Sequence, residues 1–435
     1  MRHPLNRSPL ALTIKQDNTD GYTAIGHYST EAALVRAGSI NLDLTTDESG
    51  REAFQIELVD RVFRDHERPL RRGRPAIINL SIDGLFEVVQ KCRMRWEEAL
   101  SSARCVVPGP GGVGERDRYH YEEEWRCPVD AATFQAIAGK LALAGARMFE
   151  SVFERGRGTP LDDIAWKLRE VFGAGEHAIT INAPDFHLPW RMLYTQPVGC
   201  EPLKSDGSNF DLRGFWGYQH ILEEFTNSIP SADHVTADNG KVWFAAGLHE
   251  RIDNDLQINC LAVHRKFVQG TEDRLFYDEW TKKAEVPNGL SADPFRHQIV
   301  YFLCHAEGAG SADRPSLKPP VLQISDGTID AVEIGEVIRH RFGESPPLVF
   351  INACRGGHLG TLFSHNFTFV TEFLEQGAVC LIGPQIEVPA VFAGEFGKCF
   401  FDLFLAAGDP PPKVGDILRG LTRVMYTEQS IWAGL

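Results

Sequence analysis

Five nearly continuous apolar runs limit what this chain can fold into more than any other feature. They read HAITINAP (177–184), KVWFAAGL (241–248), QIVYFLCH (298–305), LVFINAC (348–354) and AVCLIG (378–383), and helix-patterned segments separate several of them. A strand with one wet face alternates apolar and polar residues, whereas a run that is apolar at almost every position must be covered on both faces. Parallel strands joined by helices supply that cover, because the crossovers lie against the faces of the sheet. The expected class is therefore α/β, with a mostly parallel sheet flanked by helices.

The segments between the runs fit this plan. Helical spacing recurs over 129–155, 160–172, 217–225 (GYQHILEEF), 364–376 and 391–406, and IGEVIRHRF (334–342) reads as a further helix. The stretch PVLQISDGTIDAVEI (320–334) reads as a hairpin with Asp326-Gly327 at its turn. The first hundred residues differ. INLDLTTDES (40–49) alternates as a half-buried strand does, PAIINLSID (75–83) reads as a buried strand, and 84–100 places Leu85, Val88, Val89, Cys92 and Trp96 at helical spacing. The stretch VVPGPGGVGERDRYHYEEEW (106–125) reads as a linker. These features divide the chain into a smaller α+β N-terminal domain, 1–127, and an α/β domain, 128–435. The first carries no recognisable chemistry and is expected to regulate or to bind a partner. The formal GxGxxG at Gly109, Gly111 and Gly114 contains Pro110 and leads into Glu-Arg-Asp-Arg-Tyr rather than an apolar helix, so it reads as a loop and not a nucleotide fingerprint.

Composition narrows the function classes. A net charge of −15 over 435 residues argues against direct nucleic-acid binding and is compatible with basic peptide partners. The basic cluster Arg61, Arg64, Arg68, Arg71, Arg72 and Arg74 reads as a solvated face. Nine dispersed cysteines without a CxxC pair indicate reduced thiols, and no apolar run is long enough to span a membrane, so the expected setting is cytoplasmic with no membrane partner. No cluster has metal-ligand spacing, and neither a metal nor a cofactor is expected.

The ends of two apolar runs carry reactive side chains. QIVYFLCH closes on His305, followed by Ala306-Glu307-Gly308, and LVFINAC closes on Cys354, followed by Arg355-Gly356-Gly357. About 50 positions separate them, enough for the chain to cross over and return in parallel, with the two carboxyl ends side by side. Cys354 then attacks a carbonyl as thiolate, and His305 takes up the thiol proton and returns it to the departing amine. Backbone N–H groups of Cys354 and Ala306 are the expected oxyanion donors. A cysteine or a histidine at a strand end is more often structural than catalytic; the pair at this spacing, with glycine two or three residues after each, is what favours chemistry. Cys304 alternates to the opposite face and is expected in the core. Cys380 and Cys399 are expected to be inert, and His358 and His365 lie too close to Cys354 in sequence to be its base.

The motif Asn352-Ala353-Cys354-Arg355-Gly356 is close to the caspase nucleophile signature, with its histidine about 50 residues upstream. FHLPWRMLY (186–194), YFLCHAEG (301–308), VFINACRGG (349–357) and AVCLIGPQIEVPAVFAGEF (378–396) together resemble the CHAT subgroup of caspase-like cysteine peptidases over roughly residues 128–435. The resemblance implies a caspase-like sheet and an endopeptidase selective for one P1 residue. It also implies activation by a sensor or partner protein, often in bacterial defence. The chain departs from the family pattern where Ala306 replaces the glycine after the histidine, and where Gln385-Ile386-Glu387-Val388-Pro389 follows the last strand. A basic P1 residue needs a carboxylate in its pocket; Asp185 and Glu387 are the candidates, while Pro189 and Trp190 are expected to pack. The alternative reading is a catalytically silent scaffold of the same fold that recruits partners. A weaker one is acyl transfer to a small molecule by the same pair.

Overall fold

A computed structural model describes residues 11–13, 34, 36–47, 49–59, 61–64, 75–101, 104–108, 115–119, 131–154, 159–184, 186, 188–225, 234–256, 258–307, 310–311, 314–315, 321–338, 342, 346–353, 369–384, 388–406 and 412–427. The chain divides into two compact units, one of residues 31–227 with 419–435 and one of residues 1–30 with 228–418.

The first unit is α+β. Strands β1 (Arg36–Thr46), β2 (Glu52–Val59), β3 (Ala76–Ile78), β4 (Ala178–Asn182) and β5 (Ile221–Phe225) form one sheet in the order β3-β2-β1-β4-β5. The β1, β2 and β3 pairings are antiparallel; β1 with β4 and β4 with β5 are parallel. Helices α1 (Ile82–Ser101), α2 (Ala131–Phe153) and α3 (Pro160–Ala174) cover it. Its core is aromatic: Trp216 stacks on Phe172 with centroids 3.7 Å apart, and Trp96, Phe149 and Trp190 are fully buried around them.

Two expectations change here. Ile221–Phe225 was expected in a helix, but only Trp216–Gln219 is helical, and the chain then extends into β5. Five consecutive pairings with β4 outweigh a local helical pattern in so short a segment. The 106–125 segment, expected as a linker, contributes to an antiparallel ribbon of Arg104–Pro108 with Glu115–Tyr119. Gly109, Gly111 and Gly114 lie outside the described residues. The units also divide the chain at 227/228, whereas the sequence alone places a boundary at 127/128. Residues 131–225 belong to the first unit because β4 and β5 complete its sheet.

The second unit carries the parallel sheet. Strands β6 (Val242–Leu248), β7 (Leu275–Trp280), β8 (Ile299–Leu303), β12 (Leu348–Ile351) and β13 (Cys380–Ile382) lie in the order β7-β6-β8-β12-β13, every neighbouring pair parallel. Between β8 and β12 the chain forms a smaller antiparallel sheet from β9 (His305–Glu307), β10 (Val321–Ile324) and β11 (Gly327–Asp330). The hairpin turn is Ser325-Asp326, one residue earlier than its sequence suggests, and Gly327 pairs with Ile324.

The short helix α4 (Ile252–Leu256) follows β6 and leads to α5 (Cys260–Gly270), whose first amides are capped by both oxygens of Asp253 at 2.9 Å. Helices α6 (Glu285–Leu290), α7 (Ala331–Ile338), α8 (Phe369–Glu375) and α9 (Ala390–Phe404) complete the order, and α10 (Val414–Thr427) begins in this unit and has residues 419–427 in the first. One face of the sheet buries Val300, Phe302, Val349 and Ile351 against Leu290, Ile334, Ile338 and Phe373. The other sets Phe244, Tyr301 and Phe350 against Phe401 on α9. Gly394 lets α9 approach Cys260 of α5, where a Cβ would stand 2.8 Å from its side chain.

His220 of the first unit and His264 of the second are buried and held neutral. His220 Nδ1 accepts the His177 N–H at 3.2 Å and its Nε2 lies 3.0 Å from Phe172 O, which fixes the tautomer protonated at Nε2. Burial pushes His220 and His264 each down to about 3. Between about pH 6.5 and 3 the unfolded chain therefore binds protons that the folded chain refuses, so stability present above pH 6.5 falls as the pH is lowered, by at most about 1.4 kcal/mol per pH unit per histidine. Calorimetric melting from pH 7.5 to 4.5 is expected to show a steadily falling Tm. His220→Phe should be less stable at pH 7.5 but have the shallower slope; an equal slope would show that His220 titrates normally.

Candidate active site

The strand order β7-β6-β8 places a reversal of the chain's progress between β6 and β8, and in open parallel sheets ligands gather outside the carboxyl ends at such a reversal. Each of these strands is followed there by a histidine. His249 comes directly after Leu248 of β6, and His305 comes two residues after Leu303 of β8. Their rings meet edge to face, with centroids 5.3 Å apart at 70°. Gly247 makes room for this part of the sheet, since a Cβ there would stand 2.6 Å from the Phe302 ring.

The alternation of β9 decides which way His305 points. Across the small sheet Ala306, Leu322 and Ile329 occupy one paired row, and all three are buried in the core shared with the parallel sheet. His305, Gln323 and Thr328 form the adjacent row on the opposite face; His305 and Gln323 are half-buried and Thr328 is exposed. Cys304, at the bend between β8 and β9, is fully buried, as its position in the run implies. Ala306 was expected on a strand-to-loop turn. It lies inside β9 because the hairpin 321–330 offers a pairing edge to the chain leaving β8. Its methyl group joins the buried row.

Burial holds the His305 imidazole below the ordinary histidine range, against the opposing pull of the Asp255 carboxylate. His249 is also held low, by burial and then by the charge His305 would carry. Both rings are thus neutral at pH 7, and a neutral imidazole is what a general base requires.

The tip of β12 lies beside the tip of β8. The strands pair from Ile299 with Leu348 to Phe302 with Ile351, and the Asn352 N–H continues the ladder to Phe302 O at 2.8 Å. The buried Asn352 side chain then leaves the sheet. Its Nδ2 donates to Tyr301 Oη at 2.8 Å and also to Ala393 O on α9. Gly397 opposite them is required by this arrangement, because a Cβ would stand 2.7 Å from Tyr301 Oη and 2.9 Å from Asn352 Nδ2. The last described residue of the tip is Ala353, fully buried.

Cys354, Asp185 and Glu387 lie outside the described residues, as do His358 and His365. Pro189 and Trp190 begin a tight turn, Trp190–Met192, and Trp190 is fully buried in the first unit. Cys399 is buried in α9 and Cys380 is partly buried in β13. Sequence reasoning missed His249, Tyr301 and Asn352. His249 closes an apolar run as His305 does, and Tyr301 and Asn352 are polar groups inside such runs; each was a visible signal. Among the described residues no three His, Cys, Asp or Glu side chains are grouped to hold a metal ion, and no helix is long and apolar enough to cross a membrane. No protein-family model matches the chain, and no curated protein matches it significantly.

Proposed function

We propose that this chain is a caspase-like cysteine endopeptidase of the CHAT type, with Cys354 as nucleophile and His305 as acid and base. The observation that carries the reading is the adjacency of the β8 and β12 carboxyl ends, with His305 turned to the open row past one and Cys354 next in sequence after Ala353 of the other. The Cys354 thiol gives its proton to His305 and the thiolate adds to the peptide carbonyl carbon. The oxyanion so formed is met by backbone N–H groups, for which Cys354 and Ala306 are the candidates. Collapse of the adduct breaks the C–N bond, and His305 delivers its proton to the leaving amine. Water, deprotonated by His305, then hydrolyses the thioester and restores the thiol.

The sequence resemblance supports the substrate class, a protein cut after one preferred P1 residue, and the need for an activating partner, in a cytoplasmic setting and in bacterial defence. Asp185 and Glu387 are the candidate carboxylates for a basic P1 residue. A second reading is a silent scaffold that recruits partners, favoured by the Ala306 methyl group buried where the family carries glycine.

Labelling with peptidyl electrophiles varied at P1, with and without cell lysate as a source of activator, tests the first reading. Labelling at Cys354 that is lost in His305→Ala supports a peptidase. Labelling best with lysine or arginine at P1 and weakened in Asp185→Asn or Glu387→Gln assigns the pocket. No labelling under any of these conditions favours the scaffold.

A further inference from the structure

His249 stands against His305 with a ring nitrogen that no described residue partners. The residue is only 1% exposed, and its Nδ1 is buried without a hydrogen-bond partner among the described residues. An unpaired buried polar atom is costly, so native proteins keep few of them and each calls for an explanation. The backbone around it is held firmly. Its N–H donates to Leu303 O at 3.2 Å, its carbonyl accepts the Ile252 N–H at 3.0 Å, and the adjoining Glu250 N–H donates to Ser325 Oγ at 2.9 Å. These bonds tie the end of β6 to β8, to α4 and to the hairpin turn that carries the partner strand of His305. The imidazole therefore has little freedom to seek a partner elsewhere.

We propose that His249 is a positioning residue for His305, its buried Nδ1 accepting a hydrogen bond from the His305 imidazolium once the thiol proton has been taken up. The inference rests on the reading of His305 as acid and base. In a nucleophile–histidine–carboxylate triad the third group holds the imidazole in one orientation and stabilises it when protonated. A neutral imidazole supplies the same acceptor without the charge, so its effect is smaller. The charged groups facing the pair come from the segment after β6: Asp255, which favours protonation of both rings, and Arg251, which opposes it at His249. Asp255 is exposed and 4.0 Å from Arg251, so solvent and that partner screen it. His249 is the buried member and the one in ring contact with His305.

The test uses the full chain and needs no known substrate. The rate at which iodoacetamide alkylates Cys354 is measured against pH for wild type, His249→Phe, His249→Asn and His305→Gln, and the His305 ring is titrated by NMR in the first three. Phenylalanine keeps a flat ring without an acceptor; asparagine keeps an acceptor. In His249→Phe the His305 midpoint is expected to fall by about one pH unit and alkylation at pH 7 to slow about tenfold. In His249→Asn at least half of each change should be recovered. If the phenylalanine variant fails to fold, His249→Leu supplies the arm without an acceptor. Equal behaviour of the two arms, or an unmoved His305 midpoint without the acceptor, overturns the proposal while leaving the dyad intact. Alkylation indifferent to His305→Gln at every pH instead overturns the reading of His305 as base, and the positioning role with it.

Discussion

Cys354→Ala is expected to abolish peptide cleavage, and His305→Ala to lower it by about 10³-fold or more, with the melting temperature of each variant close to wild type. Groups that act as one chemical unit are not additive, so the double variant should be no worse than Cys354→Ala alone. The two positions are expected to be separable from folding for different reasons. His305 lies on the row of β9 opposite the buried Ala306, Leu322 and Ile329, so truncating it leaves the small core intact. The pairing of β12 with β8 ends at Ile351, and the Asn352 N–H makes its last bond, before the substituted cysteine. Cleavage of any responsive substrate, measured with and without lysate, reads the first expectation; a thermal melt reads the second. Proteolysis retained in Cys354→Ala would remove the nucleophile assignment outright. Loss of activity accompanied by loss of fold in His305→Ala would make that histidine structural.

Asn352→Leu carries the largest expected cost in stability. The side chain is nearly isosteric, but it leaves the Tyr301 hydroxyl and the Ala393 carbonyl facing apolar atoms inside the sheet–helix interface. Leaving each buried group short of its partner costs about 1–3 kcal/mol, so a loss of roughly 2–6 kcal/mol is expected in chemical denaturation. Tyr301→Phe removes one member of the same set and should cost only about 1 kcal/mol, because Asn352 keeps its bond to α9. The double variant should show coupling between the sites rather than the sum of the two losses. Alkylation of Cys354 is a second readout, since the bonds of Asn352 fix the strand tip from which the cysteine continues. A denaturation midpoint unchanged in Asn352→Leu would mean that the interface reorganises around the leucine.

Much of the parallel sheet was legible because its central strands are buried on both faces and so are apolar at nearly every position. The same rule hid β7. Its sequence LFYDEW places Asp278 and Glu279 on the edge of the sheet, where half-exposed positions tolerate charge and the apolar signature breaks up. Ile221–Phe225 misled for a related reason, since HILEEF satisfies helical spacing locally and only its partner β4 selects the extended form. At the site, the tips of β8 and β12 were readable as the ends of apolar runs, with His305 just past the first; Cys354 lies outside the described residues. The bonds among Tyr301, Asn352 and Ala393 were not, because they join three segments distant in sequence. Nor was the partner strand of β9, since pairing between His305–Glu307 and Val321–Ile324 leaves no mark on three residues.

The departure of the chain from one sheet into another at Cys304 has a consequence in parity. Beyond that bend, odd and even positions have opposite fates: Ala306 goes inward and His305 outward. Inserting a single residue between Cys304 and His305 would exchange them, sending an imidazole into a row of Leu322 and Ile329 and a methyl group to the open face. Inserting two would restore the facing while moving the imidazole about 7 Å along the strand. The spacing from the buried cysteine to the histidine is therefore a count that admits neither an odd change nor an even one, and it ties the length of this short segment as closely as the identity of its residues.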